Sequence, residues 1–103
     1  MLSVEDFKAA YEKLGVKPVN KIWDNGEGAC CAMTAYVRAN IDPRYDPYEH
    51  LNNIPKMATL LNIEPKQVKA FIYGFDDDDY CGSEPMYYDL GCRTREALIV
   101  SAW

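Results

Sequence analysis

The sequence predicts a mainly α protein: one compact domain, residues 1–103, built as a bundle of five or six short helices with room for a minor two-stranded element. Three observations carry that prediction. Apolar residues recur at helical spacing in separate segments. Four of those segments open on a proline, which suits a first helical turn because its missing N–H has no partner there. The connections are short, as in a bundle, and 103 residues fit one domain and leave no room for two ordinary ones.

The first helix should run over residues 4–14. Ser3 is placed to cap it and Asp6 to complete a capping box, Phe7, Ala10, Tyr11 and Leu14 share one stripe, and Gly15 is a stop. The alternation Val19, Lys21, Trp23 then reads as a short strand before an Asn25-Gly26 turn signal. A second helix is expected over 28–40, with Cys30, Met33, Thr34, Val37 and Ile41 facing inward. The proline-led segments follow: a short helix over 46–51, then helices over 56–62, 66–75 and 85–98. Residues 99–103 either extend the last helix or add an edge strand. Gly74 and Gly91 interrupt helical patterns, where each costs about 1 kcal/mol relative to alanine. Either the two helices approach backbone to backbone there, or each glycine ends or bends its helix.

Charge divides the chain more sharply than hydropathy does. The net charge is -5, yet residues 76–89 alone hold six acids (Asp76, Asp77, Asp78, Asp79, Glu84, Asp89) and no base, while the remainder is close to neutral. Such a field repels nucleic-acid phosphate and attracts a basic partner. Acids at Glu5, Asp6 and Glu12, where a signal peptide would be cationic and then apolar, together with the lack of any run of ~20 apolar residues, predict a cytoplasmic protein with no membrane partner.

Four cysteines are the most reactive groups. Cys30 and Cys31 are adjacent and Cys81 and Cys92 are eleven apart, a poor match to the paired spacing of zinc ligands. Cys30 or Cys31 and Cys92 read first as small buried apolar side chains on helices, and no metal or cofactor is called for. Residues 26–31 also resemble the glycine-then-cysteine helix start of papain-like hydrolases. That resemblance implies Cys30 or Cys31 as a nucleophile at a helix N-terminus, where the dipole lowers a thiol pKa and free N–H groups bind an oxyanion. Those enzymes carry their histidine on a sheet after the cysteine helix, whereas His50, the only histidine, falls in the expected short helix.

Residues 54–74 resemble the helix-turn-helix of transcription regulators: small Ala58, turn residue Asn62, then Val68 and Phe71, with Met57, Leu61 and Ile63 in the remaining apolar places. The resemblance implies that the helix after Pro65 presents Lys66, Gln67, Lys69 and Tyr73 to DNA. Asn62 replaces the usual glycine, and the helix runs straight into four aspartates that oppose a phosphate backbone. As a calcium loop the same run fails. With Gly82 at the invariant glycine, Asp77 and Asp79 fall on ligand positions but Cys81 and Tyr88 occupy two others.

What distinguishes the acidic stretch from an ordinary polar loop is its aromatic content. Tyr80, Tyr87 and Tyr88 cannot all turn inward together with Leu90 and Leu98, and exposed tyrosines give large contact area at low entropy cost. The leading expectation is therefore a small acidic binding protein, of inhibitor or adaptor type, that docks a basic protein partner through Asp76, Asp77, Asp78, Asp79, Tyr80, Glu84, Tyr87, Tyr88 and Asp89. The tyrosines could equally cover the junction between helices. DNA binding through 54–74 is the second reading, and cysteine-dependent hydrolysis the third.

Overall fold

Local punctuation decides most helix ends. The computed structural model describes residues 2–49 and 53–100, and among them five helices and two short strands follow in the order α1 (Val4–Leu14), β1 (Lys17–Pro18), β2 (Ala29–Cys30), α2 (Ala32–Asn40), α3 (Asn53–Leu61), α4 (Pro65–Phe75) and α5 (Pro85–Leu98). The chain forms the mainly α domain that its sequence predicts. In α1 the Ser3 N–H donates to Asp6 Oδ2 at 2.8 Å, the Asp6 N–H donates to Ser3 Oγ at 3.4 Å, and Gly15 turns left-handed at φ 67° to end the helix.

Departures from expectation cluster in residues 16–49. The second helix starts at Ala32 rather than at Gly28, because Gly26 and Gly28 hold φ of 73° and 87° and the chain after them runs extended. Ala29–Cys30 pairs in parallel with Lys17–Pro18, so the strand lies before the alternation at 19–23 and not on it. Proline is tolerated there because the N–H groups that reach β2 belong to its neighbours: Lys17 donates to Gly28 O and Val19 to Cys30 O. Ile41, expected inside, is 41% exposed. Residues 46–49 form a turn, in which the Tyr48 N–H donates to Asp46 Oδ1 at 2.9 Å; the rest of the short helix expected over 46–51 lies outside the described residues, as do His50 and residues 101–103.

Phe7, Phe71 and Phe75 form the spine of the core, with ring centroids 4.8 Å apart for the first pair and 5.9 Å for the second. Met33, Val37, Met57, Val68 and Leu90 close around them, all fully buried. Each such side chain stabilises the fold by about 1.5–3 kcal/mol. The Lys13 ammonium reaches across to the Ala39 carbonyl at 2.6 Å, satisfying one of the last acceptors of α2.

The tightest junction joins α4 to α5. A Cβ on Gly74 would overlap the Tyr88 carbonyl oxygen, and one on Gly91 would overlap the Phe71 carbonyl oxygen. Both glycines therefore mark a backbone-to-backbone approach, and the helical cost of each is offset by the contact it permits. Residues 76–84 of the acidic stretch connect these two helices, and 85–89 begin α5.

Candidate functional site

Four aspartates sit where a helix least favours them. Residues 76–79 leave the C-terminal end of α4, with Asp76 as its cap and the N–H groups of Asp76, Asp77 and Asp78 donating to the last carbonyls of the helix. The helix dipole places partial negative charge there, so acids are unfavourable and bases are preferred. Arg95 supplies one base: its Nη2 lies 3.4 Å from Asp77 Oδ1, and its Nε donates to the Gly74 carbonyl at 3.3 Å.

The six acids divide by what they touch. Asp76 is half-buried and accepts the Lys21 N–H at 2.8 Å. Burial pushes its carboxyl above the usual range, the Lys21 N–H opposes that shift, and the charge of Asp78 adds to it. Glu84 caps α5 and faces Lys66 at 3.5 Å, while Asp89 pairs with Arg93 one helical turn on at 2.8 Å. Asp78 and Asp79 are exposed and have no ion-pair partner among the described residues.

The tyrosines divide as well. Tyr87, counted among the expected contact residues, is 9% exposed and packs in the core, so it supports the face from beneath. Its place follows from α5 geometry, because Tyr87, Leu90, Gly91 and Thr94 share the buried stripe. Tyr80 and Tyr88 are half-buried and stack with centroids 5.2 Å apart and planes 12° from parallel. Tyr73 meets the Tyr80 edge at 5.9 Å. The Tyr80 hydroxyl accepts the Glu84 N–H at 2.8 Å, and the Tyr88 hydroxyl donates to the Asp78 carbonyl at 3.4 Å. These rings cover the helix junction while leaving part of each face to solvent.

The segment read as a helix-turn-helix forms two consecutive helices, α3 and α4, joined by a three-residue turn. Asn62 adopts φ 58°, the left-handed conformation a turn there requires, and Ala58, Val68 and Phe71 are buried. On the outer side Lys66 lies between Glu64 at 3.3 Å and Glu84 at 3.5 Å, and Lys69 stands over the Tyr73 ring at 5.7 Å. A groove of about 380 Å³ between these lysines, Tyr73, Asp79 and Tyr80 thus carries both signs of charge.

The cysteine site forms in a different way from the one its sequence suggests. Cys31 is the residue before the first turn of α2, at the helix end as the resemblance implies, but it is 2% exposed and Cys30 lies in β2. Burial pushes the Cys31 thiol up to about 12, against the Thr34 hydroxyl 3.2 Å away, which lowers it. Burial also raises Cys30, with Arg38 opposing. Desolvation outweighs the helix terminus here, and neither sulfur is poised as a thiolate. Cys92, expected to be buried, is half-buried beside Gly74. Among the described residues no cluster of three His, Cys, Asp or Glu side chains is placed to hold a metal.

Sequence reasoning missed a second hollow beside Asp76. Ile22, Trp23, Tyr48 and Ile72 wall a groove of about 310 Å³ with Cys31 below and Asp76 at its edge. Nothing in the spacing of residues 22, 48 and 72 announces that they meet. Comparisons with protein-family models, with curated proteins and with solved structures gave no match, so the functional reading rests on these residues.

Proposed function

We propose that this chain is a small acidic binding protein, of inhibitor or adaptor type and acting in the cytoplasm, that docks a basic protein partner through residues 76–89. The observation that carries the reading is Asp78 and Asp79 at the negative end of α4, exposed and without an ion-pair partner among the described residues. An arrangement that breaks a local electrostatic rule without internal compensation is expected where function requires it. Tyr80 and Tyr88 supply the aromatic surface beside them, Asp76 extends the negative field, and Asp77, Glu84 and Asp89 contribute less because Arg95, Lys66 and Arg93 already face them. No described helix is long and apolar enough to cross a membrane.

DNA binding through α3 and α4 is the second reading, favoured by the left-handed Asn62 and by Lys66 and Lys69 on the outer side of α4. One experiment separates the two. Tagged protein is used for affinity capture with and without nuclease, beside an Asp78→Asn/Asp79→Asn variant and a Lys66→Ala/Lys69→Ala variant. Capture of a basic protein that survives nuclease and is lost in the aspartate variant supports docking. Capture abolished by nuclease and by the lysine changes gives the helix-turn-helix reading its place.

A further inference from the structure

The groove beside Asp76 joins an apolar surface to the acidic stretch. Ile22 and Tyr48 are 42% and 56% exposed, large values for apolar side chains, and both line the same hollow. Trp23 and Ile72 line its walls and are packed against the core, so the groove is held by the fold rather than by a loose loop. Tyr48 is fixed in place: its hydroxyl donates to the Asp24 carbonyl at 3.0 Å. Lys21 is held by its N–H bond to Asp76. At a volume of about 310 Å³, the hollow is far too small for a helix and suits one or two side chains.

Charge selects among apolar occupants. Asp76 forms part of the lining, and Asp77, Asp78 and Asp79 follow it within three residues, a contour length of about 11 Å. We propose that this groove is the anchor pocket of the acidic face, taking one apolar side chain from a segment of the basic partner while flanking lysine or arginine residues meet residues 76–79. The inference rests on the docking reading and adds to it the kind of segment recognised. Buried apolar anchors surrounded by complementary charge are how interfaces obtain affinity and register together. The Lys21 side chain also borders the groove, and its ammonium opposes a cation beside Asp76.

The test uses the full chain and three capped pentapeptides: leucine flanked by two lysines on each side, alanine so flanked, and leucine flanked by glutamates. Amide shifts are followed by NMR. The leucine–lysine peptide should move Ile22, Trp23, Tyr48 and Ile72 together with residues 76–79, and bind about tenfold more tightly than the alanine peptide, as partial burial of the three additional carbons of leucine predicts. Ile22→Asn should remove that preference, and Tyr48→Ala serves the same purpose should the first variant lose its folded spectrum. Lys21→Gln should tighten the lysine peptides about threefold, as loss of one repelling charge at partly screened distance predicts. Shifts confined to residues 76–79 and equal for leucine and alanine overturn the pocket and leave the acidic face standing. No shift with either lysine peptide overturns both. Equal binding of the glutamate-flanked peptide overturns the proposed basic segment, and groove shifts that grow with protein concentration alone assign the groove to a second copy of the chain instead.

Discussion

Asp24 and the aspartates at 76–79 show two opposite uses of acidic charge in one small domain. Asp24 accepts the Gly26 N–H at 2.7 Å and pairs with the half-buried Arg38 guanidinium at 2.7 Å, while Arg38 also donates to the Tyr45 carbonyl at 2.8 Å. These bonds, the Gly26 N–H first, hold the Asp24 carboxyl below the usual range. Asp76 is shifted the other way by burial, and Asp78 and Asp79 beyond it have no ion-pair partner among the described residues. A carboxylate with partners contributes to folding; one without them adds only a field. The comparison teaches that charge content does not show where charge is free to act, since that depends on which bases the fold delivers.

The largest expected effect removes the support beneath the free charges. Gly74→Ala or Gly91→Ala forces α4 and α5 apart and should cost about 3 kcal/mol or more, because the overlap is with backbone that cannot turn aside. Thermal melting measures it. A loss below about 1 kcal/mol would mean that the two helices slide easily, and the acidic connection would then have no fixed shape.

Next in size is the Asp24 network itself. Arg38→Ala removes one ion pair and leaves the Tyr45 carbonyl without its donor, for a cost of about 2 kcal/mol. The paired variant Asp24→Asn should cost about 1 kcal/mol at pH 7, since Asn can still accept the Gly26 N–H. If chemical denaturation finds both variants as stable as the parent, Asp24 belongs with the free acids and the contrast fails.

Acid titration sharpens the contrast through opposite signs. Asp24 has a folded pKa below its unfolded value of about 3.9, so its contribution is present above that value and is lost as pH falls through the folded one. Asp76 has a raised folded pKa. Its contribution is present below about 3.9 and is lost as pH rises through the folded value, leaving a penalty at neutral pH. Asp24→Asn should therefore destabilise and Asp76→Asn slightly stabilise at pH 7, and both differences should close towards pH 3 and below. Denaturation midpoints across that range read both signs.

The smallest effect on stability belongs to the fully neutralised run. Replacing Asp76, Asp77, Asp78 and Asp79 by Asn should leave stability within about 0.5 kcal/mol or raise it, since relief of mutual repulsion offsets the loss of the pair between exposed Asp77 and half-buried Arg95. Association with a basic partner should weaken and lose its salt dependence in the same variant. Strong destabilisation, seen by melting, would place these residues with Asp24.

Residues three or four apart determined much of the fold before any tertiary contact was considered. The capping box of Ser3 and Asp6, the stop at Gly15, the Pro65 and Pro85 starts, and the inward stripe of Phe7, Ala10 and Tyr11 all follow from local bonds or helical periodicity. The acidic stretch is equally plain in the sequence, since counting charge needs no structure. Tertiary contacts decided what those local signals could not. Two left-handed glycines and a strand partner at Lys17 moved the start of α2 to Ala32, and the approach of α5 explained Gly74. Arg95 removed Asp77 from the free charges across eighteen residues, Tyr87 turned inward beneath the face, and Ile22, Tyr48 and Ile72 met around a groove. Each of these depends on chain segments distant in sequence becoming neighbours, and burial, ion pairing and pocket shape arise only from that proximity.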